Sequence, residues 1–217
     1  MTTTVQSVIQ RAQETLQDLA GVQWPATELV RHLNDGQRQL IVARPDVGSI
    51  TASFVPVAGA RQSLPATAIA LISVRNNSAG NKRAIRIADG AVLDAFSRDW
   101  RSMAGVTEFA HYLYSMREPR VFDLYPPAAL SASIEVTHSA YPTDAPAPSG
   151  AAYTTATGSM SVPDIWDNTI LNYVLSRAYA KNAEFGGNAQ LSGAYMAAFV
   201  AVAGVQLKSS AMVAPKT

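Results

Sequence analysis

Apolar residues recur at three- and four-residue steps near both ends of the chain and in shorter, strand-like runs through its middle. Val5, Val8, Ile9, Ala12, Leu16 and Leu19 predict a first helix that stops at Gly21, a C-cap position. Trp24-Pro25 introduces a second, because Pro suits a first helical turn; Leu29, Leu33, Leu40 and Ile41 carry it to Arg44-Pro45. Val162-Pro163-Asp164 has the same starting chemistry and opens a third helix through Ile165, Trp166, Ile170, Tyr173, Val174 and Ala178 to about Phe185. Gly186-Gly187 is expected to break the chain, with Asn188 capping a fourth helix that carries Leu191, Tyr195, Ala198, Phe199, Val202 and Val205.

That fourth helix has no charged residue between Glu184 and Lys208, whereas a surface helix keeps a charged face. Its strictly apolar run, Ala194 to Val205, is about a dozen residues, well short of the ~20 that cross a bilayer. The helix is therefore expected to be buried, either inside its own subunit or partly beneath a neighbouring one. Gly193, Ala197, Ala198, Ala201, Ala203 and Gly204 are small enough to admit a second helix closely, which makes Ala197, Ala201 and Gly204 candidate interface positions.

Between the helices, Ile50 to Val57, Ile69 to Arg75, Arg83 to Ile87, Phe109 to Ser115, Val121 to Tyr125 and Ile134 to Ala140 read as strands. Turns at residues 76–81 and 116–120 make two hairpins, and Asp89-Gly90-Ala91 opens a short helix ending near Trp100. Tyr141 to Ala151, rich in Pro, Ala and Ser, reads as a connector. The expected architecture is α+β: a helical bundle from residues 1–47 and 162–208, an inserted antiparallel β domain over 48–161, and a polar tail over 209–217.

Composition narrows the function. Hydrophobic content of 48% over 217 residues supports a packed core, and a net charge of +1 leaves little to neutralise DNA phosphates. The absence of cysteine excludes disulfides and thiolate metal sites. The start, Met-Thr-Thr-Thr-Val-Gln, has neither the basic nor the apolar region of an export signal. One local bias stands out: Arg75, Lys82, Arg83 and Arg86, without an acid from Arg75 to Ile87, form a candidate basic hairpin for DNA or an acidic partner.

Catalytic chemistry finds little footing. His32, His111 and His138 lack metal-clasping spacing, and no phosphate-loop or nucleophile-elbow pattern occurs, so no cofactor is expected. Asp164 and Asp167, a turn apart, are explained by the helix dipole. Arg177 interrupts an apolar stripe, and a structural ion pair with Asp35 or Glu28 is expected for it. A rival reading gathers Trp24, Trp100 and Tyr112 around a ligand pocket in a soluble binding protein.

The chain resembles the head-to-tail adaptor proteins of short-tailed bacteriophages, of the tail tubular protein A type. The resemblance lies in Trp24 with residues 29–38 (Leu29 to Arg38), in Ala43-Arg44-Pro45-Asp46, Asp99-Trp100 and Tyr125-Pro126-Pro127, and in Val162 to Ile165 followed by Tyr173 to Lys181. It implies a virion protein assembled in the host cytoplasm into a ring, usually of twelve copies. Such a ring sits beneath the portal protein at the head-to-tail junction, carries the tail nozzle or tail tube, and passes DNA without gripping it. It implies no enzyme, no cofactor and no membrane. In related adaptors the C-terminal end reaches into the portal, which adds Lys208 and Lys216 to the candidate interface. Another neck or stopper component of the virion is the alternative.

Overall fold

The computed structural model describes residues 4–182 and 186–213. The chain divides into two compact units, Met1–Gly48 with Pro142–Thr217, and Ser49–Tyr141. The fold is α+β, with the terminal helices gathered in the first unit and two sheets in the second.

In the helical unit, α1 (Val5–Thr15) starts where Thr4 accepts from the Ser7 backbone N–H at 3.3 Å. Its stripe was expected to reach Leu19, yet the helix ends at Thr15, Gln17 has a φ of 56°, and Leu19 is exposed. The Asp18 carboxylate supplies the reason, accepting from the N–H groups of Val22, Gln23 and Trp24 at 2.8–2.9 Å and so favouring a turn over another helical turn. Burial pushes the Asp18 carboxyl up, but these backbone donors outweigh it and hold it below the usual carboxylate value. A carboxylate depressed in this way stabilises the fold above its unfolded value of about 3.9, and that contribution fades as pH falls through the folded value. Asp18→Asn is expected to lower stability at pH 7 by about 1 kcal/mol and to flatten the loss of stability as pH falls below about 4. Thermal melts across that range check both effects.

Helix α2 (Ala26–Ala43) buries Leu29, Val30, Leu33, Leu40 and Ile41, and α4 (Asp167–Ala180) buries Ile170, Val174, Leu175 and Ala178. They approach closely at Gly36, where a Cβ would lie 3.0 Å from Tyr173 Cδ1. Trp24 ties the same pair of helices together by donating its indole N–H to the Ala178 carbonyl at 3.0 Å. Just past α2, the buried Arg44 guanidinium lies 5.2 Å from the Trp166 ring centre and grips both Asp46 oxygens, at 2.7 Å through Nε and more closely through Nη2. The third predicted helix ends at Ala180, and its expected extension to Phe185 enters residues 183–185, outside the described residues. Helix α5 (Gly186–Val213) begins on the two glycines instead of after them. Asn188 accordingly lies inside its first turn and donates its amide to the Asn182 carbonyl at 3.3 Å, in place of the expected cap. Residues 209–213 continue the helix where a tail was expected, while residues 214–217 lie outside the description.

The return to the helical unit falls at Pro142 and not at residue 162. Side-chain amides explain why the proline-rich segment belongs there. Asn34 exchanges two hydrogen bonds with the Ala145 backbone at 2.9 and 3.2 Å, Gln37 accepts from Ser161 N–H at 2.7 Å, and Arg38 pairs with Asp144. Backbone bonding from Val5 N–H to the Gly158 carbonyl at 3.1 Å completes the seam.

The β-rich unit holds a three-stranded sheet, β1 (Ser49–Phe54), β7 (Ile134–Ala140) and β3 (Ala68–Asn77), in that spatial order and antiparallel throughout. Its second sheet runs β2 (Gly59–Ser63), β6 (Val121–Ala128), β5 (His111–Tyr114) and β4 (Arg86–Ile87), with β4 parallel to β5, so the expected all-antiparallel pairing holds except at that edge. One apolar cluster draws Leu71, Val74, Ile134 and Val136 from the first sheet and Tyr112, Phe122 and Leu124 from the second. A smaller one sets Trp100, Ala60 and Leu113 together, with the Trp100 indole donating to Asp94 at 2.8 Å. Between β4 and the turn Trp100–Ser102 lies α3 (Gly90–Phe96), started by Asp89, whose side chain accepts from Ala91 N–H.

Candidate functional site

Helix α5 meets its own unit along Tyr195, Phe199 and Ala203, four residues apart. Phe199 sits edge-on to Tyr173 at 5.2 Å, Tyr195 stacks on Tyr179 at 5.8 Å, and Ala203 is buried. Val202, expected on this stripe, is 43% exposed, because the contact row advances in fours and leaves it off to one side. Ala197 and Ala201 are exposed and Gly204 half-exposed, and Leu191 and Val200 show 41% and 57% of their surface. A Cβ placed on Gly193 or Gly204 would meet no atom within 4 Å. Within the single chain, then, this helix is covered on one side, and an uncharged apolar face remains open. The side chain of Lys208, and Lys216 altogether, lie outside the described residues.

The basic residues gather at one edge of the β-rich unit. Arg75 near the end of β3, Lys82 in the turn with a φ of 49°, Arg83, and Arg86 on β4 are all exposed, while Ile85 between them is buried. Arg83 pairs with Glu108 at 3.4 Å. Together with Arg86 and His111 they line an open groove of about 520 Å³, and the His111 ring lies 6.3 Å from that of Tyr125, tilted by 28°. The hairpin is held from inside by the Asn77 side chain, which bonds the Arg83 carbonyl and the Phe109 backbone.

Arg177 is exposed and forms no ion pair with Asp35 or Glu28, correcting the expectation. Asp35 pairs with Arg38 at 3.0 Å and Glu28 with Lys181 at 2.6 Å. Arg177 shares a face of α4 with Lys181, one turn on, but both carboxylates on the α2 side are already paired, Glu28 with Lys181 and Asp35 with Arg38, and Arg177 stays in solvent. Arg177 still acts at a distance on His32, whose pKa is lowered by burial first and by Arg177, against the opposing pull of Glu28.

Of the proposed pocket residues, Trp100 and Tyr112 do not share one cluster. Trp24 packs in the helical unit, and Trp100 and Tyr112 fall in separate apolar clusters of the β-rich unit. Among the described residues no group of His, Cys, Asp or Glu is placed to hold a metal, and no helix is long and apolar enough to cross a membrane. Asp164 opens a short 3-10 turn and Asp167 begins α4, the dipole role anticipated for them.

An open apolar helix face and a basic strand edge, presented by two packed units, are the equipment of a protein that works by docking onto others. A family model described as SU10 adaptor protein matches residues 3–215, and the chain belongs to that family of phage adaptors. The match runs through both units, including the whole inserted β-rich segment. No curated protein matches the chain.

Proposed function

We propose that this protein is a ring-forming head-to-tail adaptor of a short-tailed phage, of the tail tubular protein A type, built of about a dozen copies. One end of the ring docks on the portal protein at the capsid vertex, the other receives the tail nozzle or tail tube, and DNA passes through the middle. The observation that carries the reading is the open face of α5: Ala197, Val200 and Ala201 are exposed on a helix without a charged residue from Gly186 to Gly204, in a chain matched end to end by an adaptor family. Such a face is costly to leave in water and suits burial against another subunit. A net charge of +1 suits a channel wall, since few counterions are released per copy as DNA slides past.

The test uses the charge-free face. Because Ala201 is exposed in the single chain, Ala201→Glu is expected to leave the circular dichroism spectrum and the melting transition unchanged. Burying its unpaired carboxylate in a subunit contact costs several kcal/mol. Assembly on portal rings, read by sedimentation and electron microscopy, should therefore be lost. Normal assembly of the variant would place this face in solvent and overturn the reading. The wild-type chain alone is expected to sediment as a monomer, with rings appearing on addition of portal.

A further inference from the structure

A closed ring cannot be built from one self-complementary patch, because a two-fold contact is satisfied after two copies; each subunit must offer two different surfaces to its two neighbours. The helical unit presents the open face of α5. The β-rich unit presents a second apolar helix face, on α3: this helix buries none of its seven residues, and Ala91, Val92, Ala95 and Phe96 are all exposed, with Phe96 at 87% and Val92 at 54%. Residues 91 and 95, and 92 and 96, lie one turn apart, so the four form two adjacent rows on one side. An aromatic side chain this exposed, in a row of apolar neighbours, is an unfilled contact.

The two faces are complementary in shape, and both are uncharged. On α5 the open strip alternates the small Gly193, Ala197 and Ala201 with Val200, giving a shallow channel with no charged side chain from Gly186 to Gly204. On α3 the strip projects Phe96 and Val92; Asp94, on the same helix, is already engaged, accepting from Trp100 and from Arg101 at 2.8 and 2.6 Å, while Arg98 and Asp99 follow the helix, outside the Val92–Phe96 rows. Neither strip itself carries a charged side chain, so seating one on the other does not require burying an unpaired charge. We infer that neighbouring copies in the ring meet head to tail through these faces, the exposed Val92–Phe96 side of α3 in one copy seated on the Ala197–Ala201 side of α5 in the next. The inference rests on the ring reading above.

The absence of cysteine makes the contact directly testable. Ala95→Cys, beside Phe96 and itself exposed, and Ala197→Cys each introduce a single thiol without removing a large side chain. Rings are assembled on portal from full-length chains and treated with a short bis-maleimide. A mixture of the two variants should give covalent dimers, each variant alone should give none, and a chain carrying both substitutions should give a ladder of covalent multimers. Rings that form but yield no mixed dimers, or that crosslink through Ala197→Cys alone, would overturn the head-to-tail contact and leave the adaptor reading standing. Failure of the wild-type chain to form rings on portal would remove both.

Discussion

Replacing Asn77 by Leu is expected to destabilise the protein by about 3–5 kcal/mol, since two backbone groups are orphaned at about 1–3 kcal/mol each and the clasp they belong to is lost. Asn77 ends β3 at 1% exposure. Its amide donates to the Arg83 and Phe109 carbonyls at 3.0 and 2.9 Å, and its oxygen accepts from Phe109 N–H at 2.8 Å. Leu fills the same space but serves none of these groups. The Arg83 carbonyl still receives the Asn77 backbone N–H at 3.0 Å, so the Phe109 N–H and carbonyl bear the cost. Denaturant unfolding should show the loss in stability, and hydrogen exchange at the Phe109 amide should lose its protection ahead of neighbouring strands. Asn76→Ala serves as the control, because Asn76 is only half-buried and its amide makes one bond, to the Asn77 carbonyl at 3.0 Å; its cost should stay below about 1 kcal/mol. Equal effects at the two positions would show that the clasp does not organise the basic hairpin.

The same residue shows where sequence reasoning stops. Strand β7 was legible to the residue, Ile134 to Ala140, because Ile134, Val136, His138 and Ala140 alternate toward one face. Helix α2 was legible because its apolar period is bracketed by Pro25 and Pro45. Strand β2 was not: Gly-Ala-Arg-Gln-Ser has no apolar alternation, since the inward position is held by Gln62. That side chain is buried and bonds Val57 N–H, the Val57 carbonyl and the Gly59 carbonyl at 2.8–2.9 Å. An amide whose partners are backbone atoms several residues away leaves no periodic trace. The boundary at residue 142 was missed for the same reason, because Asn34, Gln37 and Gln13 hold the proline-rich segment and their partners cannot be read from spacing.

The proposed assembly surface was legible in part. The lack of charge on the last helix marked it as unusual, and the structure shows how: one face packs on α4 and the other stands open. Periodicity placed Val202 in the core because seven-residue spacing from Tyr195 satisfies an ideal helix, whereas the actual contact row follows the four-residue ridge to Ala203. The α3 surface left no signal by itself, because a seven-residue apolar helix reads as core until its neighbours are known. Arg177 was placed on the apolar stripe because Tyr173 and Val174 lie one turn before it; Tyr173 is itself only half-buried, so that edge of the stripe reaches solvent at Arg177.

Gln13→Leu is expected to cost about 3–4 kcal/mol, again from orphaned backbone groups at about 1–3 kcal/mol each, and to couple strongly with Gly21→Ala. Gln13 has no exposed surface; its amide donates to the Trp24 and Ala151 carbonyls, both at 3.0 Å, and its oxygen accepts from Tyr153 N–H at 2.9 Å. The Ala151 carbonyl keeps a second donor, Ala26 N–H at 2.7 Å, so the loss falls on the Trp24 carbonyl and the Tyr153 N–H. Gly21 presses on the same point from another side: its φ of +67° suits glycine, and a Cβ there would lie 2.2 Å from the Ala151 oxygen and 2.9 Å from Gln13 Nε2. Gly21→Ala must therefore push residue 151 away and break the bond that Gln13 makes to it. Once either substitution has displaced that segment, the second has less left to break. The double variant should lose at least about 1 kcal/mol less than the two single losses added together. Chemical denaturation of the four proteins measures the difference, and strict additivity would mean that Gln13 and Gly21 hold the 151–153 segment independently.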